Sequence, residues 1–499
     1  MKKTWLLILV LILLSVSVRL IVALNTCVIA SDGPVYIKVA QDYYDGNFRQ
    51  ALDHSYHPVY PLLISVLYWV LGNWEWAGIV ISMLLSSLVV IPLYYIGKQV
   101  FDKEIAVVAC ILYAFLPHAA RLSAQVLTTG TFIFFLIMSI WLFMLALKDW
   151  KYRFFFLAGI SALLAYFSRP DGIIILPVFI LWVILQDISN WRLKAVKQRI
   201  ITVFMLILPG LVLVLPYCLY KGGSLTGKFS MEQTGQMLTV FFSGKEYGHA
   251  LTELIKDLRV FHPLLGIFLL VGIFKQYRHR GTEDNNSTGQ RKCAWLIWLV
   301  FVAYLLAVFS FTVVFGRVSK RYTTPLTVLS IFWAASGLFS VSIGLARVFK
   351  HRQELVYSVG WLKGTVLVVV IILCFTVFIP IGRHRLPEKE VGEWIREYHK
   401  TQQTQATQDR FIVMADSNRI SYYAGGESAG IMPWISSYEG IIAYARRMKA
   451  LYLVINKKAD RFIPDFTSSI SPEDLQPLGF APKHTLDNPH YKVYKIVLK

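Results

Sequence analysis

The chain has 499 residues, of which 56% are hydrophobic, 14% aromatic and only 16% charged, and its mean hydropathy is +0.53. A soluble domain of that size needs far more polar surface, so the composition excludes an ordinary soluble enzyme and predicts a polytopic α-helical membrane protein. The net charge of +20 does not point to nucleic acid, because Lys and Arg gather between apolar runs instead of forming one basic face interleaved with aromatics.

In chain order, the opening "MKKTWLLILVLILLSVSVRLIVAL" has the basic start and apolar middle of a signal peptide. Its apolar run continues to Leu24 without a small-residue cleavage site, so a retained first helix is expected over 4–24. The polar loop 25–56 follows. Within it Tyr36, Val39, Ala40 and Tyr43 fall at i, i+3, i+4 and i+7, which predicts a short helix over 34–45 with its apolar face in the lipid interface. Asp32 stands just before Pro34, where it suits either a helix cap or a functional carboxylate at the mouth of the first span.

Further apolar segments are expected to span near 77–97, 104–120, 124–147, 153–168, 171–187, 200–220, 261–274, 294–316, 322–346 and 362–382, eleven with the first. The stretch "HPVYPLLISVLYWVLG", 57–72, is shorter and is read as re-entrant or oblique. Connectors such as "GKQVFDKE", "KDWKYR" and "NWRLKAVKQR" are rich in Lys and Arg, and they alternate with poorer ones such as "PHAARLS" and "SRPDG". The positive-inside bias places the first set in the cytoplasm. It then gathers the 25–56 loop, the SRPDG turn, the 221–260 loop and the carboxyl-terminal tail on the outer face.

After Pro380 the composition turns polar and no later run is long enough to span. The tail, 383–499, reads as a soluble α/β domain: a helix over 388–400, a strand "RFIVMA", a glycine turn "YYAGGES", a helix "YEGIIAYARRM", and strands "ALYLVIN" and "YKVYKIVL". Its glycines form no dinucleotide fingerprint. The five cysteines are scattered and mostly within spans, so neither a disulfide framework nor a metal knuckle is indicated.

The order of motifs is Asp and Tyr after the first span, "HPVYPLLISVLYWVLG", "GKQVF", "SAQVLTTGTFIFF", "SRPDGIII", "RYTTPL" and a soluble tail with "YYAGG". In this order the chain resembles the GT-C membrane glycosyltransferases, in particular the branch of protein O-mannosyltransferases and lipid A aminoarabinose transferases. The resemblance implies a GT-C transmembrane domain over 1–382 and a donor consisting of a sugar on a polyprenyl phosphate, undecaprenyl phosphate in a bacterial inner membrane. It implies an acceptor protein, lipid or glycan, hexosyl or pentosyl transfer with inversion, and an active site on the periplasmic or extracellular face. Asp32 matches the family's acidic position in the first outer loop. Gly33 stands where many relatives carry a second acid, and Thr129 where relatives often show one.

The chemistry needs a base for the incoming hydroxyl or amine and cations for the departing phosphate. It needs no cofactor, although a divalent metal is possible. Asp32 is the candidate base. Arg19, His57, Arg169 and Arg321 are candidates for the donor phosphate, with Arg317 and Lys320 close by. Bland readings stand beside these: Arg19 can snorkel to headgroups, Arg169 can simply pair with Asp171, and Arg321 with Tyr322 can anchor the interface. Tyr36, Tyr60, Asp171 and Tyr322 are candidate sugar or acceptor contacts. "DHSYHP", with Asp53 and His54 beside His57, looks metal-like, and the weak metal candidates are Asp32, His54 and His57, against the commoner case of loop histidines facing solvent. A multi-span transporter or flippase is the alternative, though no inverted repeat is visible.

Overall fold

The computed structural model describes residues 2–186, 193–221, 239, 241, 243–244, 246–257, 261–278, 288–316, 319–349, 355–402, 411–431, 437–456, 466, 470–480 and 491–497. The chain divides into two compact units, one of Met1–Leu24 with Val39–Ile379 and one of Asn25–Lys38 with Pro380–Lys499.

The first unit is helical. Seven described helices are long and apolar enough to cross a membrane: Lys3–Leu24, Trp74–Val100, Thr129–Asp149, Ala195–Tyr220, Gly289–Phe315, Lys320–Arg347 and Gly360–Val377. Lys103–Ala114 and Pro117–Ser123, bent by 55°, add an eighth when taken as one broken span. Every expected span coincides with a helix. Three of them, now Tyr152–Ser168, Pro170–Leu185 and Pro263–Tyr277, have only 10–17 residues, as does Val59–Leu71. Helicity is therefore common to all eleven segments, but the length needed to cross unaided is not.

Local chemistry sets the breaks. Gly72 ends Val59–Leu71 in the left-handed region at φ 63°, its N–H donating to the Tyr68 carbonyl at 2.8 Å. Asn73 then starts the next helix by accepting from the Trp76 N–H at 3.0 Å. Elsewhere small residues let backbones meet. A Cβ on Gly272 would overlap the Trp333 carbonyl, and one on Gly337 would overlap that of Phe268, so Pro263–Arg278 and Lys320–Phe349 cross with main chains touching.

The helix expected over 34–45 forms as Gly33–Tyr44. Its apolar stripe does not face lipid: Tyr36, Val39, Ala40 and Tyr43 are buried in protein, with Val39 and Tyr43 packed on Ala51. The same spacing suits either surroundings, which is why periodicity alone misplaced it.

The second unit holds a five-stranded sheet, with β1 Ile412–Ala415, β2 Glu427–Gly430, β3 Ala450–Asn456, β4 Leu475–Leu478 and β5 Tyr491–Ile496. Their order is β2-β1-β3-β5-β4. β1 runs parallel to β2 and β3, while β5 is antiparallel to β3 and β4. Alternation sends Met414, Leu453 and Tyr494 to one face, against Ile441 and Ile442 of the Tyr438–Arg447 helix. Val413, Tyr452 and Val493 go to the other, against Val391 and Ile395 of the Leu386–Gln402 helix. Residues 25–38, expected to belong with the membrane helices, are tied into this unit. The Cys27 N–H donates to the Ile381 carbonyl at 2.9 Å, and the Ile381 N–H to the Asn25 carbonyl at 3.3 Å.

Candidate active site

In the helical unit the SRPDG turn gathers the polar groups. The Tyr152–Ser168 helix stops because Arg169 precedes Pro170, which drives it to extended backbone at φ −154° and ψ 141°. A tight 3-10 turn, Pro170–Ile174, follows. Gly172 permits it, since a Cβ there would run into the backbone of Ala165 and Tyr166. The turn aims Arg169 inward, only 5% exposed.

Arg169 Nε donates to Asp171 Oδ1 at 3.0 Å, and Nη1 donates to the Arg321 carbonyl at 3.0 Å. The guanidinium lies 4.4 Å from the ring centroid of Tyr322 and 4.9 Å from that of Phe132, both within cation–π range. The hydroxyl of Tyr304, almost fully buried, donates to Asp171 Oδ2. Arg169 Nη2 is buried and has no hydrogen-bond partner among the described residues. A buried guanidinium N–H left over from an otherwise complete network is a ready donor to an anion. The Arg321 side chain lies over the ring of Tyr322 at 5.9 Å. Of the expected residues, then, Arg169, Asp171, Arg321 and Tyr322 come together. Sequence reasoning missed Tyr304; its only signal was a polar hydroxyl inside an apolar run.

The other candidates have further contacts of their own. His57, 4% exposed, meets the Tyr166 ring edge-on at 5.1 Å and that of Tyr217 at 6.3 Å. The Tyr60 hydroxyl donates to the Gly78 carbonyl at 2.9 Å and accepts from Ser82 Oγ at 3.3 Å within helix packing. Arg19 is fully buried. Its Nε donates to Ser86 and Ser123, each at 3.0 Å, its Nη1 donates to Ser15 Oγ at 2.6 Å, and its guanidinium lies over Tyr113. The His54 carbonyl accepts from Lys221 at 2.9 Å, and its ring stands 5.5 Å from that of Tyr56. Arg317 and nearly all of 222–245 lie outside the described residues.

Asp32 belongs to the second unit, as does Tyr36, which is buried. Asp32 lines a pocket of about 480 Å³ together with His384, Arg385, Glu388, Asp416, Arg419 and Tyr491 of the tail. None of those tail residues was singled out from sequence, because nothing local marks a polar side chain that a distant loop will meet. Asp416 keeps one side open to solvent, but desolvation of its carboxyl and then the Glu388 charge hold its proton affinity above the ordinary aspartate value. The Tyr491 phenol is raised too, first by burial and then by Asp416 and Glu388.

For a metal, Asp32, His54 and His57 do not converge, and among the described residues no three His, Cys, Asp or Glu side chains are grouped to hold an ion. Glu388 already accepts from Arg419 and Ser417. That donor set does not fit a cation site.

A family model described as dolichyl-phosphate-mannose-protein mannosyltransferase matches residues 53–220, which include His57, Tyr60, Arg169 and Asp171. No curated protein matches the chain at a significant level. Among solved structures, ArnT from Cupriavidus metallidurans bound to undecaprenyl phosphate is similar at 11% identity and TM-score 0.61, over 100% of this chain and 99% of that one. Oligosaccharyltransferase AglB from Archaeoglobus fulgidus, with an inhibitory peptide and a dolichol-phosphate, is similar at 14% identity and TM-score 0.60, over 92% and 70%. The same archaeal enzyme with Zn and sulfate gives 15% identity and TM-score 0.63, over 96% and 72%. The chain has the GT-C fold, and in its motifs and its residues 53–220 it resembles the dolichyl-phosphate-mannose-protein mannosyltransferases of that group.

Proposed function

We propose that the chain is a membrane glycosyltransferase that moves a hexosyl or pentosyl group from a polyprenyl-phosphate carrier to an acceptor protein, lipid or glycan. The observation that carries this reading is the unpartnered, buried Nη2 of Arg169, held by Asp171, Tyr304 and Tyr322 in the segment that resembles mannosyltransferases. Similar enzymes that bind undecaprenyl phosphate or dolichol-phosphate support it.

In the proposed reaction the Asp32 carboxylate takes the proton of the acceptor hydroxyl or amine as that atom attacks the anomeric carbon. The carbon–oxygen bond to phosphate breaks, its electron pair leaves with the polyprenyl phosphate, and the configuration inverts. Arg169 is assigned to the freed anion through Nη2, with Arg321 as a further cationic group and His57 as a further hydrogen-bonding group for phosphate. Arg19, whose Nε and Nη1 are taken by serines on three helices while Nη2 has no hydrogen-bond partner among the described residues, is assigned to holding helices together. Tyr322 is assigned to steering the guanidinium, and Tyr36 and Tyr60 to packing. No cofactor is needed, and no step is routed through a metal.

The alternation of basic connectors supports placing Asp32 and the tail on the non-cytoplasmic face, in a bacterial inner membrane by kinship. The test is full-length protein in detergent with a polyprenyl-phosphate sugar, following release of polyprenyl phosphate. Wild type should turn over, and Asp32→Asn and Arg169→Lys should each lose about 100-fold or more while remaining folded. Turnover by Asp32→Asn at the wild-type rate would sink the reading.

A further inference from the structure

We propose that Arg419 and Tyr423 of the tail are positioning residues for Asp32, fixing the backbone that carries the carboxylate; this rests on the role assigned to Asp32 above. Both backbone polar groups of Ile29, which belong to the two peptide units flanking its Cα, are taken by these side chains. The Ile29 N–H donates to the Tyr423 hydroxyl at 2.8 Å, and the Ile29 carbonyl accepts from Arg419 Nε at 2.7 Å. Arg419 is itself held: it is 5% exposed, and Nη1 donates to Glu388 Oε2 at 2.8 Å. Ser417 Oγ donates to the same oxygen at 2.6 Å.

Only Ala30 and Ser31 separate Ile29 from Asp32, and the backbone between is closed on the other side as well. The Gly33 N–H donates to the Ala30 carbonyl at 3.0 Å, and the Tyr36 N–H to the Asp32 carbonyl at 3.1 Å. Asp32 is thus suspended between a clamp at Ile29 and the first turn of the Gly33–Tyr44 helix. Upstream, the Cys27 link to Ile381 closes the third side. A chain segment with no regular structure of its own is free to shift by an ångström or more unless such bonds hold it, and a displacement of that size at a reacting group costs about 100-fold in rate. The clamp consists of a planar fork and a phenol from the Asn418–Ala424 helix, a donor and acceptor set suited to holding the two peptide units on either side of the Ile29 Cα.

The experiment measures hydrogen exchange of the amides at 29–33, together with kcat and KM for a polyprenyl-phosphate sugar, on the full chain in detergent. Arg419→Met and Tyr423→Phe should each raise exchange at 29–33. Arg419→Met should lower kcat about 10- to 100-fold with little change in KM for the donor. Arg419→Lys should recover part of the loss, since it keeps the charge opposite Glu388 but not the fork. In an Asp32→Asn background, Arg419→Met should cost nothing further, because there is no carboxylate left to position. Unchanged exchange at 29–33 in both variants would overturn the proposal, as would an equal loss in the two backgrounds. If Arg419→Met does not fold, Tyr423→Phe, which removes a single hydroxyl, carries the exchange arm. If wild type releases no polyprenyl phosphate, the glycosyltransferase reading fails, while the exchange arm still decides whether the segment is clamped.

Discussion

Arg169 shows how one side chain can serve stability and chemistry at once. Its ion pair with Asp171 is buried, at 6% and 3% side-chain exposure, and lies beside aromatic rings whose cation–π attraction only partly replaces a lost carboxylate. Asp171→Ala should therefore strand the guanidinium and destabilise the helical unit by about 3–5 kcal/mol, seen as a lower melting temperature in detergent. Arg169→Lys should be milder in stability than Asp171→Ala yet severe in turnover, since an ammonium cannot serve Asp171, the Arg321 carbonyl and a phosphate from one plane. Both residues were legible from the SRPDG turn, and the pairing was foreseen as its bland reading. The third partner, Tyr304, was not, because its value depends on which turn of which helix faces Asp171. At the tail pocket a pH effect follows from Asp416. Its folded-state affinity for a proton is raised above 3.8, so the native state holds that proton more tightly than the unfolded chain. This stabilisation is full below the ordinary value and is lost as pH rises through the folded one. Asp416→Asn should raise tail stability at pH 7 and leave it unchanged at pH 3, modestly, because the residue is open to solvent; melting curves at the two pH values read it.

The helices were the easiest elements to read, since apolar runs broken by Gly, Pro and Asn mark both body and ends. What sequence could not supply was the neighbour of each face. The Gly33–Tyr44 stripe was assigned to lipid and packs on protein, because hydrophobic periodicity reports an apolar surrounding without saying which. In the tail, β2 was read as a turn and β4 went unread. "ESAG" and "LQPL" are four residues each and lack β-branched character, and Pro477 is tolerated because β4 lies at the sheet edge. Close helix crossings were likewise invisible as pairs, although each glycine was in plain sight. Gly337→Leu should force Pro263–Arg278 and Lys320–Phe349 apart and destabilise the helical unit by about 1–3 kcal/mol or more, read as loss of monodisperse protein on size exclusion and a lower melting temperature.

At the scale of the molecule, the unit that holds the tail takes in Pro380–Lys499 and also recruits Asn25–Lys38 from the far end of the sequence. Parity of the charged connectors gives the expectation that the first loop and the tail share a side of the membrane; it has no means of showing that 25–38 and the tail form one unit. The reason is physical. A main-chain bridge such as Thr26 with Ile381, and a backbone held by Arg419 and Tyr423, leave no periodic trace in either partner.

That discontinuity bears on how such proteins can be recombined. A tail exchanged alone at residue 380 would leave Ile29 facing foreign side chains in place of Arg419 and Tyr423, whereas moving 25–38 along with 380–499 transplants the native bonds intact. Chimeras with a relative's tail should accordingly express as folded protein only when both pieces come from one parent, so the tail is to be exchanged as a two-part cassette and not as an appendage.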